Sequence, residues 1–135
     1  MSEVARTADE YANQVETLGQ STRTRPMFDQ PAFILNTDLT WDHKASGTAL
    51  TVSYGVVGRR LVIVGQAAPD EYEEAAPQLD VFLSQSLGKH WKLKLSAKNL
   101  LDPAYETTQD WISQQVKIRR YTKGMTFGIS LGCEF

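Results

Sequence analysis

The sequence predicts an all-β fold: an antiparallel up-and-down segment of a transmembrane β-barrel, with about five long strands of a larger barrel. Three observations favour this fold class. Apolar and polar residues alternate with a period of two over most of residues 31–135. Several alternating runs reach about 9–11 residues, the span of a tilted membrane strand, whereas soluble strands average about 5–6 residues. Short and long connections between the runs also alternate.

Residues 1–30 differ from the rest and are interpreted mainly as a polar, loop-like segment. Thr, Arg, Gln and Glu are prominent there, and Pro26 and Pro31 stand at its end. Val15 and Leu18 would fit a short helix, but the polar composition and the prolines favour a loop. The start, MSEVARTADEYANQ, lacks the basic residues and apolar stretch of a signal peptide. An outer-membrane location is therefore expected only as part of a longer precursor.

Residues 31–135 are interpreted as the C-terminal strands of an outer-membrane β-barrel. Every second residue of a strand faces the same side of the sheet. In chain order, the apolar positions are Phe33, Leu35, Leu39 and Trp41; Leu50, Val52, Tyr54 and Val56; Leu79, Val81, Leu83 and Leu87; Trp91, Leu93, Leu95, Ala97 and Leu101; and Phe127, Ile129, Leu131, Cys133 and Phe135. Residues 59–65 and 116–119 form shorter runs. About five strands would leave two open edges, which lipid does not tolerate, so a larger barrel is expected.

The connections between these strands predict an orientation. Short turns are predicted at 43–47 and 88–89, and long connections at about 66–77 and 102–114. Outer-membrane barrels have short periplasmic turns and long extracellular loops, which places the chain end on the periplasmic side. Trp41, Trp91 and Phe135 then all lie at periplasmic strand ends on the apolar faces. We predict that these three residues form a periplasmic aromatic girdle.

Composition and motifs give no support to catalysis, a cofactor or nucleic-acid binding. Lys plus Arg number 14 and Asp plus Glu 16, so the net charge of −2 gives no argument for nucleic acid. No Ser, His and Asp set is suggested by the spacing, and we predict no enzyme activity. His43 and His90 lie at short turns without a third ligand. The single cysteine, Cys133, excludes an internal disulfide and a Cys-based metal site, and we interpret it as a small lipid-facing residue.

Two stretches near the chain end resemble a known family. Residues 88–102, GKHWKLKLSAKNLLD, resemble the penultimate strand of TonB-dependent outer-membrane receptors, where an N-L-x-D element ends the strand before a loop. Residues 120–135, RYTKGMTFGISLGCEF, resemble their closing strand and the signal read by the barrel-assembly machinery. The signal combines a polar residue, a Gly two residues later, two alternate hydrophobics and a terminal aromatic. The residues that fit this signal are Thr122, Gly124, Phe127, Ile129 and Phe135.

The resemblance implies a barrel of about 22 strands with a plugged lumen. Members of the family import siderophores, cobalamin, sugars or other scarce nutrients, driven by TonB and the proton gradient across the inner membrane. The implied partners are outer-membrane lipid, the barrel-assembly machinery, the remaining barrel strands, and TonB through a plug domain that this chain lacks. The resemblance thus makes the chain the C-terminal barrel segment of such a receptor, which would not transport alone.

Two groups of charged residues are candidate sites. Lys92, Lys94 and Lys98 line one face of one predicted strand and are candidate lumen or substrate contacts. The alternative is that these lysines pair with lumen acids such as Asp80 and with plug groups. The four carboxylates of residues 70–74 would have the density to bind Ca²⁺, but a solvated loop is the favoured interpretation, and no metal or cofactor is predicted.

Two other functions are weighed against the receptor segment. A small soluble β-barrel or sandwich that binds a small ligand would need a closed or two-layer core, with residues 33–41 packed inward. A small passive pore would need several copies of the chain joined at their open edges. Folding in plain buffer would favour the first of these, and conductance steps in a planar bilayer would favour the second.

The closing strand yields a first prediction. Replacing Phe135 by Ser in the full-length parent should lower the amount assembled in the outer membrane, because an apolar ring is lost at the membrane boundary. The measurement is the outer-membrane level of the parent with and without the substitution. Unchanged levels would refute this role of the residue.

Overall fold

The computed structural model describes residues 2–19, 21–66, 68–111 and 114–133. Over these residues the chain is all-β with antiparallel sheets and a single helix, which confirms the predicted fold class at that level. In chain order, the elements are β1 (Glu3–Ala5), α1 (Ala8–Leu18), β2 (Thr24–Pro26), β3 (Ile34–His43), β4 (Thr48–Val57), β5 (Arg60–Ile63), β6 (Glu71–Glu73), β7 (Ala76–Leu87), β8 (Trp91–Lys98), β9 (Tyr105–Trp111), β10 (Gln114–Tyr121) and β11 (Thr126–Cys133).

The chain divides into two compact units. The first, called the mixed unit, contains Met1–Ile34, Val57–Ala76 and Ala104–Tyr121. The second, called the sheet unit, contains Leu35–Val56, Pro77–Pro103 and Thr122–Phe135. The predicted division near residue 30 therefore differs from the observed one. The N-terminal residues share a unit with the two long connections rather than standing apart from them.

The sheet unit is built on a five-stranded sheet of order β11-β8-β7-β4-β3. Consecutive strands of the sheet are neighbours, as in an up-and-down meander. Registers such as Leu95↔Ile129 and Leu83↔Leu95 join β8 to β11 and to β7 in antiparallel pairs. The sheet is open, with β3 and β11 at its edges in the described part of the chain. The five longest alternating runs of the sequence all lie in this sheet.

Two glycines make the short turns of this sheet. Gly47 has φ 65° and Gly88 has φ 73°, in the left-handed region where a side chain adds strain. At Gly47 there is also no space, because a Cβ would lie 2.7 Å from the Cβ of Ser86. The backbone N–H of Ser86 donates to the carbonyl oxygen of Gly47 at 2.8 Å, which ties the first turn to β7.

The mixed unit contains a four-stranded sheet of order β10-β9-β6-β5, the hairpin β1-β2 and the helix α1. The prediction of loops at 66–77 and 102–114 is therefore wrong in part, since β6 and β9 lie there. β6 has only three residues, and β9 reads YETTQDW, which lacks an alternating apolar face. Ion pairs stabilise these strands instead. Lys117 on β10 donates to Glu106 on β9 at 2.9 Å and lowers the pKa of that half-buried carboxyl group.

The helix α1 lies in the segment interpreted mainly as a loop. Thr7 caps its start by accepting a hydrogen bond from the N–H of Glu10 at 3.2 Å, and Gly19 ends it in the left-handed conformation with φ 71°. The apolar face of the helix is narrow because Gln14 occupies a buried position beside Leu18. The hydrophobic periodicity was therefore too weak to predict the helix against the polar composition.

Polar groups fill much of the interior of the mixed unit. Among the described residues, the buried hydrophobic side chains are only Leu18 and Leu61. Arg6 Nη2 donates to Asp70 Oδ2 at 2.7 Å, and Arg6 Nη1 donates to Glu10 at 2.8 Å. Burial disfavours the charged guanidinium, but its hydrogen bonds and charge pairing with Asp70 and Glu10 outweigh this and raise the pKa of Arg6. Arg6 therefore links Glu10 in the helix to Asp70, just before β6, through nearly buried ion pairs.

Within the described residues, no helix combines the length and the apolar character needed to cross a membrane.

The buried ion pair generates a second prediction. Arg6→Met should destabilise the mixed unit by about 3–5 kcal/mol, because the Asp70 carboxylate would stay buried without its partner. The side chains of Arg6 and Asp70 are only 6% and 3% exposed, so solvent cannot replace the lost contact. The measurement is denaturant unfolding of the refolded chain. The double variant Arg6→Met/Asp70→Asn should recover part of the loss, since Asn still accepts from the N–H of Gly65. An equal loss in both variants would contradict the electrostatic explanation.

Candidate functional surface

One side of the five-stranded sheet is apolar and uncovered. The strand registers place matching residues of β7, β8 and β11 side by side on it. We call this side the apolar face, and on these strands it comprises Val81, Leu83, Leu87, Trp91, Leu93, Leu95, Ala97, Phe127, Ile129, Leu131 and Cys133. One polar residue, Gln85, also lies on this face, where it pairs with Leu93. The apolar face therefore continues across at least β7, β8 and β11.

The face extends over the remaining two strands. Thr48 Oγ1 donates to Gln85 at 2.6 Å, which places Thr48, and by alternation Leu50 and Val52, on the apolar face. The hydroxyl groups of Thr40 and Thr51 lie 3.1 Å apart on the opposite side. The neighbours of Thr40 along β3, which include Leu39 and Trp41, therefore also belong to the apolar face. No apolar residue described in this sheet is buried.

The exposure of this face is large. Leu39, Phe127 and Ile129 are 71%, 70% and 77% exposed, values typical of residues with nothing packed against them. Covering a side chain of this size contributes about 1.5–3 kcal/mol. A continuous apolar surface over five strands is much larger than the patches that monomeric soluble proteins tolerate in water. The sheet therefore requires an apolar environment or partner on this side.

Two predicted girdle residues lie at one edge of the apolar face. Trp91 is the first residue of β8 and pairs with Leu87 and Cys133, beside the 88–90 turn. Trp41 lies near the end of β3, beside the other short turn, and stacks on His43 with 5.8 Å between ring centroids. The up-and-down order places both turns at the same edge of the sheet. The third member, Phe135, lies outside the described residues, so the girdle as a whole stays a prediction.

The opposite side of the sheet, called the polar face, carries the predicted lysine row. Lys92 and Lys94 alternate with apolar residues on β8 and are exposed, and Lys98 approaches the ring of Phe82 at 5.8 Å. The expected partner Asp80 instead accepts a hydrogen bond from the backbone N–H of Asn99 at 2.8 Å. Within the described chain, no ion pair joins these three lysines to an acid.

The N-L-x-D element forms a clip between three strands. Asn99 and Asp102 adopt positive φ values of 57° and 38°, which Asn and Asp tolerate better than most residues. Asn99 Nδ2 donates to the carbonyl oxygen of Gly124 at 2.8 Å, and the N–H of Gly124 donates to Asp102 Oδ1 at 2.8 Å. On the other side, the N–H of Leu100 donates to the carbonyl oxygen of Leu79 at 2.8 Å. The clip thus joins the end of β8 to Leu79 near the start of β7 and to Gly124 in the connection before β11.

The residues that fit the assembly signal are divided between this clip and the last strand. Gly124 has φ 78° and makes both clip contacts through its backbone, which explains a glycine at this position. Thr122 is exposed in the same connection. Phe127 and Ile129 lie on the apolar face, where they pair with Ala97 and Leu95. Phe135 lies outside the described residues. The reading of these residues by an assembly machinery stays a prediction.

Three of the four acidic residues of 70–74 form ion pairs with arginines, and the fourth, Glu71, accepts a hydrogen bond from Gln109 at 3.4 Å. Asp70 binds Arg6, Glu73 binds Arg60 at 2.9 Å, and Glu74 binds Arg59 at 3.0 Å. The described residues contain no group of three His, Cys, Asp or Glu residues that could hold a metal ion. The interpretation of this stretch as a solvated loop was wrong, because arginines elsewhere in the mixed unit supply the counter-charges. Cys133 is free and exposed.

Sequence reasoning noted the N-L-x-D element but missed its partner, Gly124. Two residues that tolerate positive φ, Asn99 and Asp102, are followed by a glycine, Gly124, in the next connection. This combination is the sequence signal that could have predicted their contact. Asn99 itself is buried, at 5% exposure, and its side chain spans two connections. A buried Asn whose side-chain amide donates to two connections is typical of a residue that stabilises the fold.

The clip generates a third prediction. Asp102→Ala or Asn99→Ala should loosen β11 and allow it to shift by two residues against β8, because the bonds to Gly124 are lost at about 1–3 kcal/mol each. The native register, Leu93↔Leu131, can be measured as a disulfide in the Leu93→Cys/Leu131→Cys/Cys133→Ser variant. A shifted register would instead bring position 93 opposite position 133, which can be detected as a disulfide in the separate variant Leu93→Cys, because that variant keeps the native Cys133.

Leu101→Ala, in the same turn but 48% exposed, is the matched control and should leave the native disulfide dominant. If the clip variants and the control formed the same disulfide to the same extent, the clip would have no role in setting the register.

Comparison with protein-family models, with curated proteins and with solved structures found no match to this chain. The function of the surface is therefore inferred from its own residues.

Proposed function

We propose that this chain is the C-terminal barrel segment of a TonB-dependent receptor that imports a scarce nutrient, such as a siderophore or cobalamin, across the outer membrane. The observation that carries the proposal is the uncovered apolar face of the five-stranded sheet. Alternate apolar residues face lipid in a membrane barrel, and the residues between them face the lumen. The apolar and polar faces of this sheet have that composition, with Leu, Ile, Phe and Trp on one side and Ser, Thr, Lys and Asp on the other.

Strand length and topology support the same proposal. The five strands have 8–12 residues, close to the about 9–11 residues of a tilted membrane strand. Their up-and-down order is the order of membrane barrels. The open edges at β3 and β11 would pair with the remaining strands of the parent protein, since unpaired backbone groups are too costly in lipid. The segment by itself is not proposed to transport anything.

The soluble alternative has less support. A sandwich or closed barrel that binds a small ligand would bury Leu39 and Trp41 in its core. These side chains are 71% and 56% exposed, and no second layer covers them within their unit. The apolar face would then have to remain in contact with water.

The fourth prediction tests contact with lipid. The chain has three tryptophans, and variants that keep only one of them can be reconstituted in vesicles with brominated acyl chains. Trp41 and Trp91, on the apolar face, should be strongly quenched, because bromine quenches an indole ring that touches lipid. Trp111, in the mixed unit, is the matched control and should remain bright. Folding should require detergent or lipid, as followed by circular dichroism.

Cooperative unfolding in plain buffer, with Trp41 and Trp91 no more quenched than Trp111, would overturn the membrane proposal. The parent protein can be sought separately with an antibody to residues 66–77, applied to outer-membrane fractions of the source cells. A band several times larger than 15.1 kDa would support a receptor tail. A band at 15.1 kDa would count against it.

A further inference from the structure

The lysine row on the polar face is framed by hydroxyl groups of the neighbouring strands. Lys94 pairs with Ser84 on β7 and with Ser130 on β11. Lys92 pairs in the same way with Ser86 and with Gly132. Side chains at paired positions lie on the same face, about 4.5–5.5 Å apart at Cβ. Lys94 is therefore flanked on the polar face by two serines, one on each neighbouring strand.

One of these hydroxyl groups has no partner. Ser84 Oγ is buried from solvent and makes no hydrogen bond in the described structure. Buried polar atoms are usually paired, so the hydroxyl of Ser84, at the position paired with Lys94, has a hydrogen bond still to make. An oxyanion would satisfy both neighbours at once, because the hydroxyl donates one proton and the lysine contributes charge and further donors.

The charge of the row is also unbalanced. Lys92 and Lys94 have no ion-pair partner among the described residues. The acids on the polar face of β3 are Asp38 and Asp42. They lie three strands away, roughly 14 Å at the usual strand spacing, and Asp38 already accepts a hydrogen bond from Ser53. Asp80 on β7 is nearer, next to the pair Val81↔Ala97 and thus close to Lys98, but its carboxylate already accepts from the N–H of Asn99, and Lys94 is paired with serines rather than acids.

The surface around Lys94 is concave enough for a small molecule. A groove of about 410 Å³ lies there, and its polar-face lining includes Thr51, Phe82, Ser84, Lys94, Lys98 and Ser130. This volume falls within the usual range of ligand sites, about 300–1,000 Å³. The small side chains of Ser84, Ser96, Gly128 and Ser130 leave room beside the lysines.

We propose that this lysine groove binds a small polyanion with phosphate or carboxylate groups. The inference deepens the proposed function and rests on it, since it names the substrate class that the lumen wall would recognise. Lys94 and Lys98 line the groove about 13 Å apart along β8, and Lys92 lies about 7 Å from Lys94, outside that lining. This spacing fits two or more anionic groups on one molecule better than a single charge, because separate lysines then bind separate groups.

The fifth prediction tests the groove in the whole chain, refolded in a nonionic maltoside detergent that has no phosphate headgroup to compete. Calorimetric titrations would use pyrophosphate, citrate and, as the uncharged probe, sucrose. Lys94→Ala/Lys98→Ala, which removes the two lysines that line the groove, should weaken binding of the anions about 100-fold, because each lysine provides a charge-assisted contact worth roughly tenfold or more. Lys44→Ala/Lys89→Ala removes the same charge from the two turns and should change binding less than about twofold.

Ser84→Ala should weaken binding several-fold while leaving the salt dependence intact, since it removes a hydrogen bond and no charge.

Preference for pyrophosphate over citrate would identify phosphate as the recognised group, and the reverse would identify carboxylate. If the chain folds in detergent but binds neither anion, the proposal that the groove binds a polyanion is wrong, and the membrane proposal is unaffected. Equal losses in the two lysine pairs would also overturn it, because net charge alone would then explain binding. A chain that folds only without detergent would overturn the membrane proposal instead.

Discussion

The sheet unit depends on burial that it does not provide for itself. Its five strands satisfy most of their backbone hydrogen bonds with one another, but the apolar face has no second layer, and β3 and β11 each keep an open edge. A two-layer protein would resolve both problems with a core. Here, both are resolved only by surroundings that are apolar on one side and continue the sheet at its edges. Strand length, small residues on the polar face and aromatic edge residues are all consistent with that single constraint.

The mixed unit is stabilised in a different way. Leu18 and Leu61 are the buried hydrophobics of its described part, and much of its interior is polar. Ion pairs and hydrogen bonds therefore carry a large part of its specificity, as in the contacts of Arg6 with Asp70 and Glu10. A buried pair of this kind specifies one arrangement more than it adds net stability. The chain thus combines a sheet that needs an apolar environment with a unit organised by charge.

The sequence predicted the sheet unit far better than the mixed unit, for a physical reason. Hydrophobic periodicity reports which residues share a face, and β7, β8 and β11 have clear period-two patterns, such as Leu93, Leu95 and Ala97. β6 and β9 are held by pairs between distant residues, such as Arg59 with Asp110 and Glu74, and such pairs leave no local pattern. The clip at Asn99 was visible as a motif, but its contact with Gly124 depends on the fold. The lysine row was predicted, whereas its surrounding hydroxyls required the strand register.

The polar face also carries a lateral separation of charge. Its acids, Asp38 and Asp42 on the edge strand β3 and Asp80 on β7, all lie on one side of β8, which carries the lysines and is next to the other edge. Such a sheet has an electric dipole in its own plane, perpendicular to the strands. In a low-dielectric setting, this dipole would favour cationic side chains on whatever strand joins β3 and disfavour them beside β11. The order in which neighbouring strands can be added is thereby constrained by electrostatics as well as by hydrogen bonding.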